Sequence, residues 1–478
     1  MFHPSNRIEY WFQEISKIPR PSQQEKQISD FIVQFAEKHH LKYKQDEVWN
    51  VIVEKPASEG FEDKTPLILQ AHMDMVPDQK PGYVHDWSKD PVFLKEEDGF
   101  LMAEGTTLGA DDGIGVAWML AILEDDSLIH PPLECIFTVM EEIGLNGARA
   151  LKADAIRADR LISLDSMNEN ACDLCSAGGC YAKAEKQLVM QKNADNTYRL
   201  EITGLFGGHS GTDIHKERGN AIKIITRILQ EIRMQGIDIN LVSLNGGTKE
   251  NAIMWNANAV FVSSQTEDIL LKEIQNSFSA IHTELMESDP GVSFVFSSVE
   301  QAKQCADQKS TKELLDFLYL IPDGFQHRSI AIEGLTVTST NLGVISTKDN
   351  TVTMNILMRS TMDSAVEHLC NRMNVLAQMT GTVFTRDEFF RGWNYDPDSV
   401  LRKQFSEVLD EEGTELKMNA EHGGLEVGIF AGLHPGLDII TLGANCTGYH
   451  TFEEKLDLKS FEHSYYVLRK LITKCANE

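Results

Sequence analysis

The chain has 478 residues, of which 42% are hydrophobic and 24% charged, a globular composition too long for one ordinary core, so two or three domains are expected. Its formal net charge of −28 argues against nucleic acid and anionic membranes as partners, since both require a basic footprint. No apolar run approaches the ~18 residues of a membrane span, and the opening Met1-Phe2-His3-Pro4-Ser5-Asn6-Arg7 carries no export signal, so a cytoplasmic location is expected.

Apolar residues at helical spacing predict helix over 7–39, interrupted near Pro19-Arg20-Pro21. Strands are expected at 48–53 and 65–71, the second delivering His72. A hairpin edge over 99–105 leads to Gly109-Ala110-Asp111-Asp112-Gly113-Ile114-Gly115, followed by a buried helix from Val116. Strands over 133–140 and 160–164 then end in Glu141-Glu142 and Asp165. Alternating strands and helices imply an α/β domain with a mainly parallel sheet, whose ligand sites lie at the carboxyl ends of the strands.

From about residue 184 the texture changes to half-exposed alternating strands and amphipathic helices, the pattern of an inserted α+β lid with an antiparallel sheet. Near 388 the first pattern resumes, with a helix over 400–409, a strand over 437–443 and a loop leading to His450. The expected organisation is a catalytic domain over 1–183 and 389–478, split by a lid over 184–388. The eight cysteines are not spaced as a disulfide framework. The cluster Cys172, Cys175 and Cys180 lacks the second pair that a zinc knuckle needs, so reduced thiols are expected.

An Asp pair alone could merely cap the helix that follows it. Two carboxylates would repel a phosphate, however, and His72, Asp74, Glu141, Glu142, Asp165 and His450 supply every part of a hydrolytic two-metal site. In this reading Asp111 bridges two divalent ions, His72 and Asp165 bind one, and Glu142 and His450 bind the other. Glu141, beside a ligand, is the candidate general base, and Asp74 is placed to hold the His72 ring in its ligating tautomer. Two histidines with carboxylates suit Zn2+, with Mn2+ or Co2+ possible on the same ligands. There is no His-Glu-x-x-His, and Gly208-His209-Ser210-Gly211-Thr212 lacks the last glycine of a nucleophile elbow.

His72-x-Asp74, Gly109-Ala110-Asp111-Asp112-Gly113, Glu141-Glu142-Ile143-Gly144, Asp165 and His450 resemble the co-catalytic zinc peptidases that include aminoacylase, glutamate carboxypeptidase and carnosinase. Gly207-Gly208-His209-Ser210-Gly211, Asn251 and Met358-Arg359-Ser360 fit the same family. Gln70-Ala71-His72-Met73-Asp74-Met75-Val76, Thr106 to Gly115 and His422-Gly423-Gly424-Leu425-Glu426 are similar to its aminoacyl-histidine dipeptidase branch. The resemblance implies a zinc-exopeptidase-like catalytic domain and a small peptide substrate of the Xaa-His type, such as β-alanyl-histidine. It also implies that Arg359, Asn251 and Gly424 contact substrate and that His209 donates to the transition state. Oligomeric state stays open between a monomer, whose long lid has room for a duplicated βαβ unit in place of a partner subunit, and a homodimer formed through the lid, which is the preferred expectation. Rival expectations are a tripeptidase or N-acyl amino acid deacylase on the same scaffold, and a catalytically inactive metal-binding protein.

Overall fold

A computed structural model of the chain describes residues 6–330, 332–387, 389–419 and 422–477. The chain forms two compact units, one of 1–174, 393–420 and 425–478, the other of 175–392 and 421–424. The sequence boundary expected after residue 183 falls inside a strand, Gly178–Gln187, that belongs wholly to the second unit.

The first unit is built on a six-stranded sheet in the order Lys42–Gln45, Val51–Lys55, Leu133–Thr138, Leu67–His72, Arg160–Ser163 and Asp438–Thr441. The last four strands are mutually parallel, whereas the first two pair antiparallel. Strand alternation sends alternate residues to opposite faces. Val51, Val53, Leu67, Leu69, Cys135, Phe137, Ile162 and Ile440 enter one core, and Ile52, Ile68, Ile136, Leu161 and Ile439 another. Burial on both faces explains why these strands read as unbroken apolar runs.

The first of those cores is closed by the helices Arg7–Ser16, Ala110–Glu124, Val400–Glu411 and Leu458–Ala476. Trp118 stacks on Phe461 with ring centroids 5.7 Å apart, joining the helix after the Asp pair to the C-terminal helix. The second core packs beneath Glu426–Leu433, a short helix with two internal glycines that the apolar pattern does not distinguish from a buried strand. A smaller four-stranded sheet joins Cys446–Thr447, Lys455–Asp457, Phe100–Ala103 and Leu94–Glu97. It fastens the late segment bearing His450 to the hairpin that precedes the Asp pair.

The second unit carries a nine-stranded antiparallel sheet, including Ser293–Ser298, Asn196–Thr203, Ala257–Ser263, Asn240–Gly246, Thr336–Lys348, Thr351–Ser360, Gly178–Gln187 and Val383–Arg386 in spatial order. The helices Ala221–Met234, Glu267–Glu284, Gln308–Leu320 and Asp363–Thr380 cover its apolar face. Among the described residues no helix is long and apolar enough to cross a membrane.

Candidate metal centre

Three strand ends and one loop converge. His72 closes the strand Leu67–His72, Glu141 and Glu142 follow Leu133–Thr138, and Asp165 follows Arg160–Ser163. Because these strands are parallel neighbours, their carboxyl ends lie side by side and the donors meet. Asp111 stands at the start of Ala110–Glu124 with non-helical backbone, and its peptide bond to Asp112 is cis.

The two Asp111 oxygens face different partners: Oδ1 lies 3.0 Å from His72 Nε2, and Oδ2 lies 3.0 Å from His450 Nε2. Asp165 Oδ1 is 4.0 Å from His72 Nε2, and Glu142 Oε2 is 3.0 Å from His450 Nε2. His72, Asp111 and Asp165 thus form one group of potential ligand atoms, and Asp111, Glu142 and His450 form a second that shares Asp111. Glu141 joins a third group with His72 and Glu142. Met140 takes a φ of 54° just before the two glutamates, and both offer an oxygen within 4.8 Å of a His72 ring nitrogen.

Burial pushes the Asp165, Glu141 and Glu142 carboxyls above the usual range, and the neighbouring carboxylates add to this. Asp111 is also penalised by burial, but hydrogen bonds from His450 and His72 overcome that and hold it below the usual range. Asp111 and Glu142 in turn raise His450 to about 10. So many buried anions around two imidazoles require positive charge. Glu142 Oε1 is buried with no hydrogen-bond partner among the described residues, an oxygen left to coordinate a cation. The residues therefore fit divalent cations bound by oxygen and nitrogen.

His72 Nδ1 lies 3.1 Å from the Asp74 carbonyl oxygen and 3.5 Å from its carboxylate Oδ1. The Asp74 carboxylate also accepts from the Glu141 N–H at 3.0 Å, the Glu142 N–H at 3.3 Å and Ser22 Oγ at 2.7 Å. One buried side chain thereby fixes the strand-end loop of both glutamates as well as facing the imidazole.

Three further residues have no role legible in the sequence, although Glu426 closes the phrase His422-Gly423-Gly424-Leu425-Glu426. Arg20, legible only as part of a proline-flanked break, is buried and donates to the carbonyls of Met73, Asp74 and Gly109. Glu454 accepts from the backbone N–H groups of Leu108, Gly109, Ala110 and Asp111 at 2.8 to 3.3 Å. Glu426 accepts from Gln70 Nε2 at 2.8 Å and Thr138 Oγ1 at 2.6 Å, and burial raises it to about 7.

In the second unit, the short ribbon Gly208–His209 pairs with Ala252–Ile253, and Ser210 N–H donates to the Asn251 carbonyl at 2.8 Å. His209 Nδ1 accepts from the N–H groups of Gly211 and Thr212 at 3.3 and 3.4 Å. Burial and the Arg359 charge lower its pKa, so the ring is neutral with its proton on Nε2, a donor. Arg359 is buried, and its Nε has no hydrogen-bond partner among the described residues. A Cβ at Gly424 would stand 3.9 Å from Arg359 Nη1. Buried His422 accepts or donates at Ser339 Oγ over 2.6 Å, in a strand where Ser339 opposes Arg359, and burial together with Arg359 lowers its pKa to about 3. His209, Arg359, His422 and Gly424 are thus neighbours, with Asn251 one residue from the ribbon.

A parallel sheet whose strand ends bring carboxylates and imidazoles together, interrupted in sequence by an antiparallel unit, is an architecture that fits a metallopeptidase. Over residues 68–474 the sequence matches peptidase family M20/M25/M40, and the chain belongs to that family. It is 33% identical over 468 residues to the cytosol non-specific dipeptidase of Escherichia coli (strain K12), covering 96% of each chain. It also matches the crystal structure of aminoacylhistidine dipeptidase from Vibrio alginolyticus with a TM-score of 0.91 and 31% identity, over 98% of this chain and 96% of that one. A tripeptidase from Staphylococcus aureus shares the fold over 100% of both chains, with a TM-score of 0.57 and 17% identity. The family, and the catalytic-plus-lid fold that its resemblance implies, are those expected from the sequence.

Proposed function

We propose that the chain is a dipeptidase that uses two divalent metal ions, zinc by preference, to hydrolyse Xaa-His dipeptides such as β-alanyl-histidine. The observation that carries this reading is Asp111, whose two oxygens serve two separate ligand groups. The ions, when bound, supply Lewis acidity and a water of lowered pKa. His72 and Asp165 would hold one ion, Glu142 and His450 the other, with Asp111 across both and Asp74 orienting His72.

Glu141 takes a proton from the attacking water onto its carboxylate and returns it to the leaving amine. Glu141 lies in one group with His72 and the candidate ligand Glu142, within reach of a water there, which is the first requirement of a general base. Arg359 offers a bidentate cation to the substrate's free carboxylate, and Asn251 and Gly424 complete the substrate contacts. His209 Nε2–H donates to the oxyanion that develops on the former carbonyl oxygen. The names of the relatives support a dipeptide substrate, one of them an aminoacyl-histidine. A cytoplasmic location and a homodimer formed through the second unit belong to the same proposal.

A substrate panel tests it. Purified protein loaded with Zn2+ or Mn2+ is expected to cleave Xaa-His dipeptides faster than other dipeptides, and to spare tripeptides and N-acetyl amino acids. Exclusive turnover of either of the last two would make it another amide hydrolase of the same scaffold, and no turnover by the metal-loaded protein would favour an inactive metal-binding role.

A further inference from the structure

Cys180 lies in the strand Gly178–Gln187 and Cys370 in the helix Asp363–Thr380, with their sulfurs 3.5 Å apart in the core of the second unit. The two are 190 residues apart in sequence, so tertiary packing alone brings them together. Their surroundings differ. Cys180 is fully enclosed, whereas Cys370 retains 4% exposure. Arg386, on the neighbouring strand Val383–Arg386, donates to Glu367 at 2.6 Å, and Glu367 stands one helical turn before Cys370. A surface cleft of about 420 Å³ opens at this ion pair, lined by Asp363, Ser364, Glu367, Arg386, Asp387 and Phe389.

Of the two thiols, Cys370 is the one that the Arg386 side chain hydrogen-bonds. The hydrogen bond with Cys180 and the nearby Arg386 guanidinium together outweigh burial and bring the Cys370 thiol down to about 7. Cys180 is held well above the ordinary thiol range by the same contact and by burial. Elsewhere burial raises Cys135 and Cys172 to about 12, the signature of inert packed thiols. Two thiols within contact distance, one of them hydrogen-bonded to a guanidinium that lines the cleft, make the arrangement of an attacking and a resolving cysteine.

We propose that Cys370 and Cys180 form a site of reversible oxidation by hydroperoxides, in which Cys370 reacts first and Cys180 closes a disulfide. The Cys370 thiolate attacks one oxygen of the peroxide. The O–O bond breaks, the peroxide is reduced to an alcohol or water that takes up a proton, and Cys370 is oxidised to a sulfenic acid. The Cys180 sulfur then displaces the hydroxyl group, so that an S–S bond forms and an S–O bond breaks. Water departs with the Cys180 proton. The sum is two thiols and one hydroperoxide giving one disulfide, one alcohol or water, and one further water.

The test uses the metal-loaded, full-length protein treated with a few equivalents of hydrogen peroxide, under conditions where its circular dichroism is unchanged. Denaturation in N-ethylmaleimide and digestion without reduction should yield a linked peptide pair joining Cys180 to Cys370, lost on treatment with dithiothreitol, while the Cys135 and Cys172 peptides carry the maleimide. In Cys180→Ser the same treatment should leave a dimedone-reactive sulfenic acid on Cys370, and in Cys370→Ser no adduct on Cys180. Maleimide on both Cys180 and Cys370 of the peroxide-treated wild type overturns the site. A dimedone adduct on Cys180 in Cys370→Ser, with none on Cys370 in Cys180→Ser, overturns the order. Because the linked peptide is read from the unmutated chain, misfolding of either variant leaves the first decision intact.

Discussion

Glu454 reaches back to the turn that presents Asp111: its Oε1 accepts from the N–H groups of Ala110 and Asp111 at 2.9 and 3.3 Å, and its Oε2 from Leu108 and Gly109. Four residues earlier in the same loop, His450 Nε2 meets the Asp111 side chain at 3.0 Å. One loop therefore contacts Asp111 from both sides, by the backbone through Glu454 and by the carboxylate through His450. An amide at 454 keeps the shape but offers acceptors from one oxygen alone. Glu454→Gln is expected to weaken metal affinity about 10- to 100-fold, as the loss of an orienting partner typically does. Chelator competition reads the affinity, and wild-type affinity in the folded variant would remove Glu454 from this role.

The neighbouring glutamates should separate base from ligand. Glu141→Ala is expected to retain both metals and lose about 10² or more in kcat, the usual size of a general-base contribution. Glu142→Ala should instead lower metal occupancy. Metal analysis and steady-state kinetics on the two variants distinguish them, and normal turnover by Glu141→Ala would sink the assignment.

Arg359 is tested through the substrate's carboxylate. A lysine cannot reproduce the fork of a guanidinium, so Arg359→Lys should raise KM for dipeptides and leave a C-terminally amidated analogue nearly unchanged. Equal losses on both substrates would assign the residue to packing.

His209→Ala should keep metal content and fold yet lose most of kcat, because a donor to the developing oxyanion is worth about 3 kcal/mol, mainly in the transition state. If the donor is supplied across a dimer, mixing Glu141→Ala and His209→Ala chains restores partial activity. Full activity of the single His209 variant would end the proposal.

His422 predicts a pH effect on stability. Its folded pKa is depressed to about 3 by burial and by Arg359, while the unfolded ring titrates near 6.5. The unfolded state therefore binds a proton first as pH falls. Stability that is complete above about pH 6.5 declines progressively toward pH 3, by roughly 2 to 3 kcal/mol between pH 6.5 and 4.5. Denaturant midpoints at several pH values should fall more steeply for wild type than for His422→Gln. Parallel slopes would show that the ring does not titrate in this way.

The candidate metal residues are legible in the sequence because they follow parallel strands, and an apolar run followed by His72, Glu141-Glu142 or Asp165 announces a strand end. Arg20, Glu454 and Glu426 are not, since a buried ion looks like any surface charge until its backbone partners are brought near. Thr336–Lys348, the longest strand among the described residues, is hard to read from the sequence for a related reason. Thr338, Ser339 and Asn341 are polar residues facing inward, satisfied by Ser360, His422 and the carbonyls of Glu250 and Ala252. An apolar count does not register such a strand, because its burial is made possible by hydrogen bonds formed with distant segments. Strand Gly178–Gln187 sits beside Thr351–Ser360 in the lid sheet although it precedes the change in texture near 184, which is why the expected boundary cuts it.

The docking of Cys446–Thr447 and Lys455–Asp457 onto Phe100–Ala103 has a consequence for synthesis. The group of His72, Asp111 and Asp165 is encoded early, but the group of Asp111, Glu142 and His450 lacks its imidazole until residue 450 has emerged from the ribosome. A nascent chain therefore carries an incomplete pair of ligand groups through the translation of the entire second unit. In the proposed two-metal mechanism, peptide hydrolysis begins only when the late loop folds back, so the enzyme is silent while it is being made.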